Sequence, residues 1–274
     1  MQVSWERMSQ EMVSREERMF SFSSSKLVDR PFDWAYQLKD LGYSGWEIVN
    51  EGKQKLTREN LAEAKQIVET TDLIITIHLP YSDLNLASVN QPIWEETVRQ
   101  MKSCLDLAGD FARLAVLHPG HFSPLGMHMP DAAWSQSILG IQQICDHAAD
   151  LDMRIAVENM VNMPAILGRQ PEEVMGIIET VDRENVGFIF DVGHANTNGN
   201  VESFLQLKDR IIHTHVHDNH GERDEHLPVG NGTVPWKKFA AAFKNYRGRI
   251  VTESRSLEEG QRSVNRLKKI MNLQ

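Results

Sequence analysis

The chain has 274 residues, 41% hydrophobic and 24% charged, and its 38 acidic side chains against 29 basic ones leave a net charge of −9. That is the composition of a globular protein able to bury a sizeable core, and its acidity disfavours an extended grip on nucleic acid. No run approaches the ~20 apolar residues that span a bilayer, and Cys104 and Cys145 stand in no CxxC spacing, so no membrane partner and no disulfide framework are expected.

Residues 1–18 form an extension before the first strand. Trp5, Met8 and Met12 fall there at helical spacing, the pattern of a short amphipathic helix. The charges of Glu6, Arg7, Glu11, Arg15, Glu16, Glu17 and Arg18 leave no apolar core for a signal peptide, so a soluble cytoplasmic protein is expected. From residue 19, short apolar runs alternate with helix-period stretches. The predicted strands are Met19–Ser23, Gly45–Val49, Leu73–His78, Leu114–His118, Arg154–Glu158, Val186–Asp191, Ile211–His217 and Arg249–Glu253, rich in Ile, Val and Phe as strands covered on both faces should be. Helices are predicted over 31–42, 57–71, 91–109, 131–150, 171–181, 200–209, 235–245 and 257–271, several with Pro or acids in the first turn. Strict alternation without a composition break predicts one α/β domain over 19–274, a single (β/α)8 TIM barrel. An open doubly wound sheet is the alternative, but no glycine-rich phosphate turn follows the first strand.

The strand ends carry the chemistry. Strands three to eight end in His78, His118, Glu158, Asp191, His215 with His217, and Glu253. In a barrel these ends converge on one mouth. Side chains two apart share a face, so an inward Glu158 carries Ala156 inward and turns Ile155 and Val157 outward. Asp191 does the same with Ile189 against Phe188 and Phe190, and Glu253 with Val251 against Ile250. His213, deeper on the seventh strand, reads as a hydrogen-bonded core histidine. One inward His or Glu is usually structural, but several on one rim repel unless a cation joins them. His194, Asp224 and His226 extend the set, and mixed His and carboxylate donors without Cys suit Zn²⁺, Mn²⁺, Fe²⁺ or Co²⁺.

The stretches His78-Leu79-Pro80-Tyr81, Leu117-His118-Pro119-Gly120, Val157-Glu158-Asn159, Asp191-Val192-Gly193-His194-Ala195, His215-Val216-His217-Asp218, Asp224-Glu225-His226-Leu227-Pro228-Val229-Gly230-Asn231-Gly232 and Thr252-Glu253 resemble the xylose-isomerase-like barrel superfamily. It includes sugar-phosphate isomerases and epimerases, and endonuclease IV-type AP endonucleases (family 2). The resemblance covers residues 19 to 271 and has two implications. For the isomerases and epimerases it implies one metal, Zn²⁺ or Mn²⁺, on Glu158, Asp191, His215 and Glu253. For the nucleases it implies three zinc ions on those four with His78, His118, His194, Asp224 and His226. All nine are present.

The rim loops show no concentration of basic residues for several phosphate contacts. The expected function is therefore a metal-dependent isomerase or epimerase of a sugar or sugar phosphate, in which Glu158 and Glu253 exchange a proton with the substrate. Tyr81, Asn159, His217, Arg223 and Arg255 are the expected substrate contacts. Hydrolysis of abasic DNA is the alternative, and a barrel that binds metal or a small ligand without catalysis is the third reading. Nucleic acid is an unfavoured partner, and association of copies is left open.

Overall fold

In a computed structural model, which describes residues 19–273, eight parallel strands close a barrel in sequence order. They are β1 (Phe20–Ser23), β2 (Gly45–Val49), β3 (Ile74–His78), β4 (Ala112–Leu117), β5 (Arg154–Glu158), β6 (Val186–Asp191), β7 (Ile211–Val216) and β8 (Ile250–Glu253). β1 and β8 pair from Phe20↔Ile250 to Ser23↔Glu253, which seals the ring. The fold expected from the alternating pattern is the fold observed, with strand limits shifted by at most two residues. The helix expected within residues 1–18 lies outside the described residues.

The helices are α1 (Leu61–Thr71), α2 (Gln91–Ala108), α3 (Pro124–His128), α4 (Pro130–Ala149), α5 (Pro171–Val181), α6 (Val192–Thr197), α7 (Val201–Leu205), α8 (Trp236–Ala242) and α9 (Leu257–Met271). Several predicted helices come out differently, 235–245 forming only over Trp236–Ala242. The stretch 31–42 is a 3-10 helix over Phe32–Gln37 only, confined between Pro31 and Gly42, the latter at φ +89°. The predicted helix over 57–71 begins at Leu61. Asn60 Oδ1 accepts from the Thr57 amide at 2.8 Å and Thr57 Oγ1 from the Asn60 amide at 3.3 Å, a local turn that competes with the first helical turn. The stretch 200–209 divides into α7 and a 3-10 turn over Lys208–Arg210. The short helices α3 and α6 were not foreseen. α9 forms as predicted: Ser256 caps the Glu259 amide at 3.2 Å, acids occupy its first turn and Lys268 and Lys269 its last. No helix among the described residues is long and apolar enough to cross a membrane.

Strand alternation sorts the core. Ile155, Val157, Phe188, Phe190 and Ile250 belong to the large cluster shared with the helices. Val116, Ala156 and Ile189 form a separate small one, with Leu114 and Ile212 against it, as inward residues of a filled barrel must. A register shift on β7 takes the pairing from Phe188↔Ile211 to Ile189↔His213. Ile212 then lies so close to Gly187 that a Cβ there would stand 2.7 Å from its Cδ1.

Trp46 and Trp34 anchor the outer core, both fully buried, and the Trp46 ring stands edge-on to Phe32 at 5.4 Å and to Trp34 at 5.5 Å. Trp46→Ala is expected to cost about 3–5 kcal/mol, read as a lower urea midpoint at unchanged m-value.

Candidate metal and active site

Opposite the small apolar cluster of Val116, Ala156 and Ile189, the barrel interior carries polar groups. Glu47, fully buried on β2, accepts from Thr76 Oγ1 at 2.8 Å and from His213 Nε2 at 2.9 Å, both on Oε2. Its other oxygen lies 2.6 Å from His215 Nε2, close but out of line for a good hydrogen bond. Burial works to raise the Glu47 carboxyl, but His215 and His213 outweigh it and hold the group well below the usual carboxylate range. His213 is thus the hydrogen-bonded core histidine expected. Glu47 was missed. Its signal was an acid at the centre of the apolar run Gly45-Trp46-Glu47-Ile48-Val49, which must find a partner to be buried.

Above this layer the strand ends meet. Glu158 Oε2 lies 3.3 Å from His78 Nε2 and 3.0 Å from His118 Nε2, and Glu158 Oε1 lies 3.0 Å from His215 Nδ1. The same His215 nitrogen stands 3.8 Å from Asp191 Oδ2 and 3.4 Å from Glu253 Oε1. The structure therefore brings Glu158, Asp191, His215 and Glu253 together. Burial pushes the Glu158 carboxyl up, but His215, His118 and His78 reverse that and lower it well below its ordinary value.

A second knot adjoins the first. Asp191 Oδ1 caps α6 by accepting the His194 amide at 2.6 Å and lies 3.2 Å from His217 Nε2. His217 Nε2 is 3.4 Å from Asp224 Oδ1, while Asp224 Oδ2 is 2.9 Å from His226 Nε2 and 3.5 Å from His194 Nε2. The His217 and His226 rings stack at 4.1 Å. Gly193 makes room for this: a Cβ there would stand 1.9 Å from His217 Cε1. Burial alone would lower the His217 ring, but Asp191 and Asp224 push it up to about 9. His226 itself adopts φ +49°. It is held by the Asp218↔Leu227 bridge and by the Asp218 carboxylate, which accepts from Gly230 N, Val234 N and Trp236 Nε1. The anchoring role of Asp218 was also not foreseen.

The donors fit divalent ions. Among the described residues, His78, His118 and Glu158 form one close group, Glu158, Asp191 and His215 a second, and His217 with Asp224 and His226 a third. Asp191 also groups with His194 and His217. Buried Asp191 Oδ2, both His217 ring nitrogens and Asp224 Oδ1 lack hydrogen-bond partners, a costly state that a cation would relieve.

The expected substrate contacts separate. Tyr81 lies over His118 at 4.7 Å and lines the mouth cavity of about 640 Å³, as does Arg255. Arg255 is also clasped by Glu259 through two hydrogen bonds at 2.8 and 2.6 Å. Arg223 is exposed and absent from that lining. Asn159 is buried with both ends of its amide on the Asp191 backbone, at 2.9 Å to its carbonyl and 2.7 Å from its amide, which ties the strand end, and it does not line the mouth cavity. His217 is buried inside the second knot.

Glu47 stands against His215 Nε2, on the side of the ring away from Glu158, Asp191 and Glu253, where charged partners of a metal-bound histidine act. Glu47→Gln is expected to weaken metal affinity by about 10- to 100-fold, measured by the metal concentration needed to raise the melting temperature.

The pattern of the xylose isomerase-like TIM barrel family matches residues 35–270. Uncharacterized protein MJ1311 of Methanocaldococcus jannaschii is 30% identical over 262 residues, 92% of this chain and 89% of that protein. A crystal structure described as a D-tagatose 3-epimerase-like protein is 30% identical, with a TM-score of 0.87 over 93% of this chain and 97% of that one. Fructoselysine 3-epimerase of Escherichia coli O157:H7 is 19% identical, covering 86% of this chain and 88% of that protein. A probable endonuclease 4 of Staphylococcus epidermidis is 26% identical, covering 78% and 77%. A fructoselysine epimerase and a probable endonuclease 4 thus both stand among the relatives. The chain belongs to the xylose isomerase-like TIM barrel family.

Proposed function

We propose that the chain is a divalent-metal-dependent isomerase or epimerase of a sugar or a sugar derivative. The observation that carries this reading is the placing of Glu158 and Glu253. They come from β5 and β8, approach the same His215 nitrogen at 3.0 and 3.4 Å, and both line a cavity of about 640 Å³. That volume suits one small molecule. Zn²⁺ or Mn²⁺ on Glu158, Asp191, His215 and Glu253 would supply Lewis-acid polarisation of a substrate carbonyl. Glu253, partly open to the cavity, takes the proton from the carbon beside the carbonyl. Glu158 returns a proton to that carbon in epimerisation, or to its neighbour in isomerisation. His78, His118 and Tyr81 wall the cavity beside them.

A specific observation favours a second reading, hydrolysis of abasic DNA. His194 and His226 both approach Asp224, at 3.5 and 2.9 Å, beside the first group, where a three-ion site would need further donors. Against it, the only Lys or Arg lining the mouth cavity among the described residues are Lys26 and Arg255, too few for a firm hold on a duplex.

The deciding experiment incubates metal-loaded protein with ketoses, aldoses and their phosphates in D2O, and in parallel with an abasic duplex at low salt. Deuterium entering a carbon beside the carbonyl supports the proposal. Metal-dependent incision by catalytic amounts of protein, without exchange, replaces it with the nuclease.

A further inference from the structure

Beside the mouth lies a second cavity, of about 760 Å³, and Tyr81, His118 and Ile166 line both. These three residues are the shared wall, across which the two cavities adjoin. The two chambers differ in chemistry. The mouth is crowded with histidines and carboxylates; among the described residues the second chamber has no Lys or Arg in its lining. Its walls are mainly aliphatic, with the rings of Tyr81, His118 and His121, the Asp83 carboxylate, and hydroxyl and amide groups between them. Ile93 is 46% exposed and Leu125 56% exposed on its rim, apolar surface left in water beside an active site.

The chamber is also built firmly. The Asn85 side chain accepts from the His121 amide at 2.9 Å and donates to the His121 carbonyl at 2.9 Å, tying the segment after β3 to the one after β4. Ile166 is fixed in the shared wall by its bridge to His121 and by the Phe122 amide, which donates to Ala165 O at 2.7 Å. A site whose walls are already tied has little ordering cost to meet when a ligand enters.

We infer that the second chamber is a subsite for an uncharged, largely apolar substituent, so that the substrate is a sugar conjugate and not a sugar phosphate. The inference rests on the proposed sugar chemistry for the identity of the head group. A phosphate in the chamber would meet no Lys or Arg and would face the Asp83 carboxylate, whereas an alkyl or aryl group would cover Ile93 and Leu125. Continuity with the mouth through Tyr81 favours part of the substrate as the occupant over a second copy of the chain.

Three probes differing only at O6 test this: D-fructose, 6-O-hexyl-D-fructose and D-fructose 6-phosphate. Calorimetry on metal-loaded protein is expected to give about 10- to 100-fold tighter binding of the hexyl ether than of fructose, and no gain for the phosphate. Leu125→Asp and Ile93→Asp, both at exposed positions, are expected to bring the hexyl-to-fructose ratio toward one. Deuterium exchange is read on the same probes. A hexyl preference without exchange keeps the subsite and removes the proposed reaction; exchange without a preference removes the subsite and keeps the reaction. Equal affinities, no measurable binding of any probe, tighter binding of the phosphate, or a chamber found closed by a partner copy in solution overturns the inference.

Discussion

Glu253→Gln is expected to slow exchange of the substrate C–H by about 10²- to 10⁴-fold, the usual contribution of a positioned proton-transfer group. Of the two glutamates it is the cleaner to test. Its side chain is 13% exposed, against 1% for Glu158, and it contacts the cluster at longer range, 3.4 Å to His215 and 3.7 Å to His226. Gln keeps its volume and one acceptor oxygen, so a variant that retains bound metal but loses exchange points to proton transfer. Glu158→Gln should show a loss of the same order with a second consequence. Glu158 is the point on which His78, His118 and His215 converge, and an amide there leaves part of that histidine array facing a donor in place of an anion. That variant is expected to lose metal affinity and stability together, about 1–3 kcal/mol for the unsatisfied buried contact alone. Exchange within tenfold of wild type in Glu253→Gln, at equal metal content, removes Glu253 from the proton path.

The barrel and its rim were legible because they depend on short-range rules. Period-two alternation told Ala156 from Val157 and Ile189 from Phe188, and parallel strands closed in order brought six distant segments to one end. What could not be read depends on partners far away in the chain. Glu47 looks like any acid on a strand until the ring closes and sets it against His213 and His215, 166 residues away in the His213 pair. Asn159 was expected to contact the substrate. Its amide is instead drawn to the Asp191 backbone, which one sequence cannot announce. Arg223 was chosen for its charge within a polar loop, but loop conformation is set by the Asp218 anchors, and these leave it exposed. The first helix shrank to a 3-10 turn for a similar reason: apolar spacing reports which face is buried, not how tightly the backbone is wound.

The combined variant His194→Ala, Asp224→Ala, His226→Ala is expected to keep one tightly bound metal equivalent and exchange within about tenfold of wild type, a small part of a typical acid–base contribution. None of the three belongs to the group formed by Glu158, Asp191 and His215, and Glu253 reaches that group through His215. What the variant dismantles is the adjoining knot, where Asp224 joins His194, His217 and His226. Some stability will be lost, because His194 Nδ1 hydrogen-bonds the Asn159 carbonyl at 2.9 Å and its removal strands that buried oxygen. Melting temperature must therefore be followed beside metal content. Asp191 keeps its 3.2 Å contact with His217, so the strand end and its first donor group stay in place. A three-ion hydrolase predicts the opposite pattern. There the same substitutions remove a full metal equivalent and nearly all cleavage of an abasic duplex, since the lost ion has no other set of donors. Metal stoichiometry by elemental analysis separates the two before any substrate is added: one tight equivalent in both wild type and variant supports the isomerase, whereas a fall from three to two, with loss of incision, establishes the nuclease.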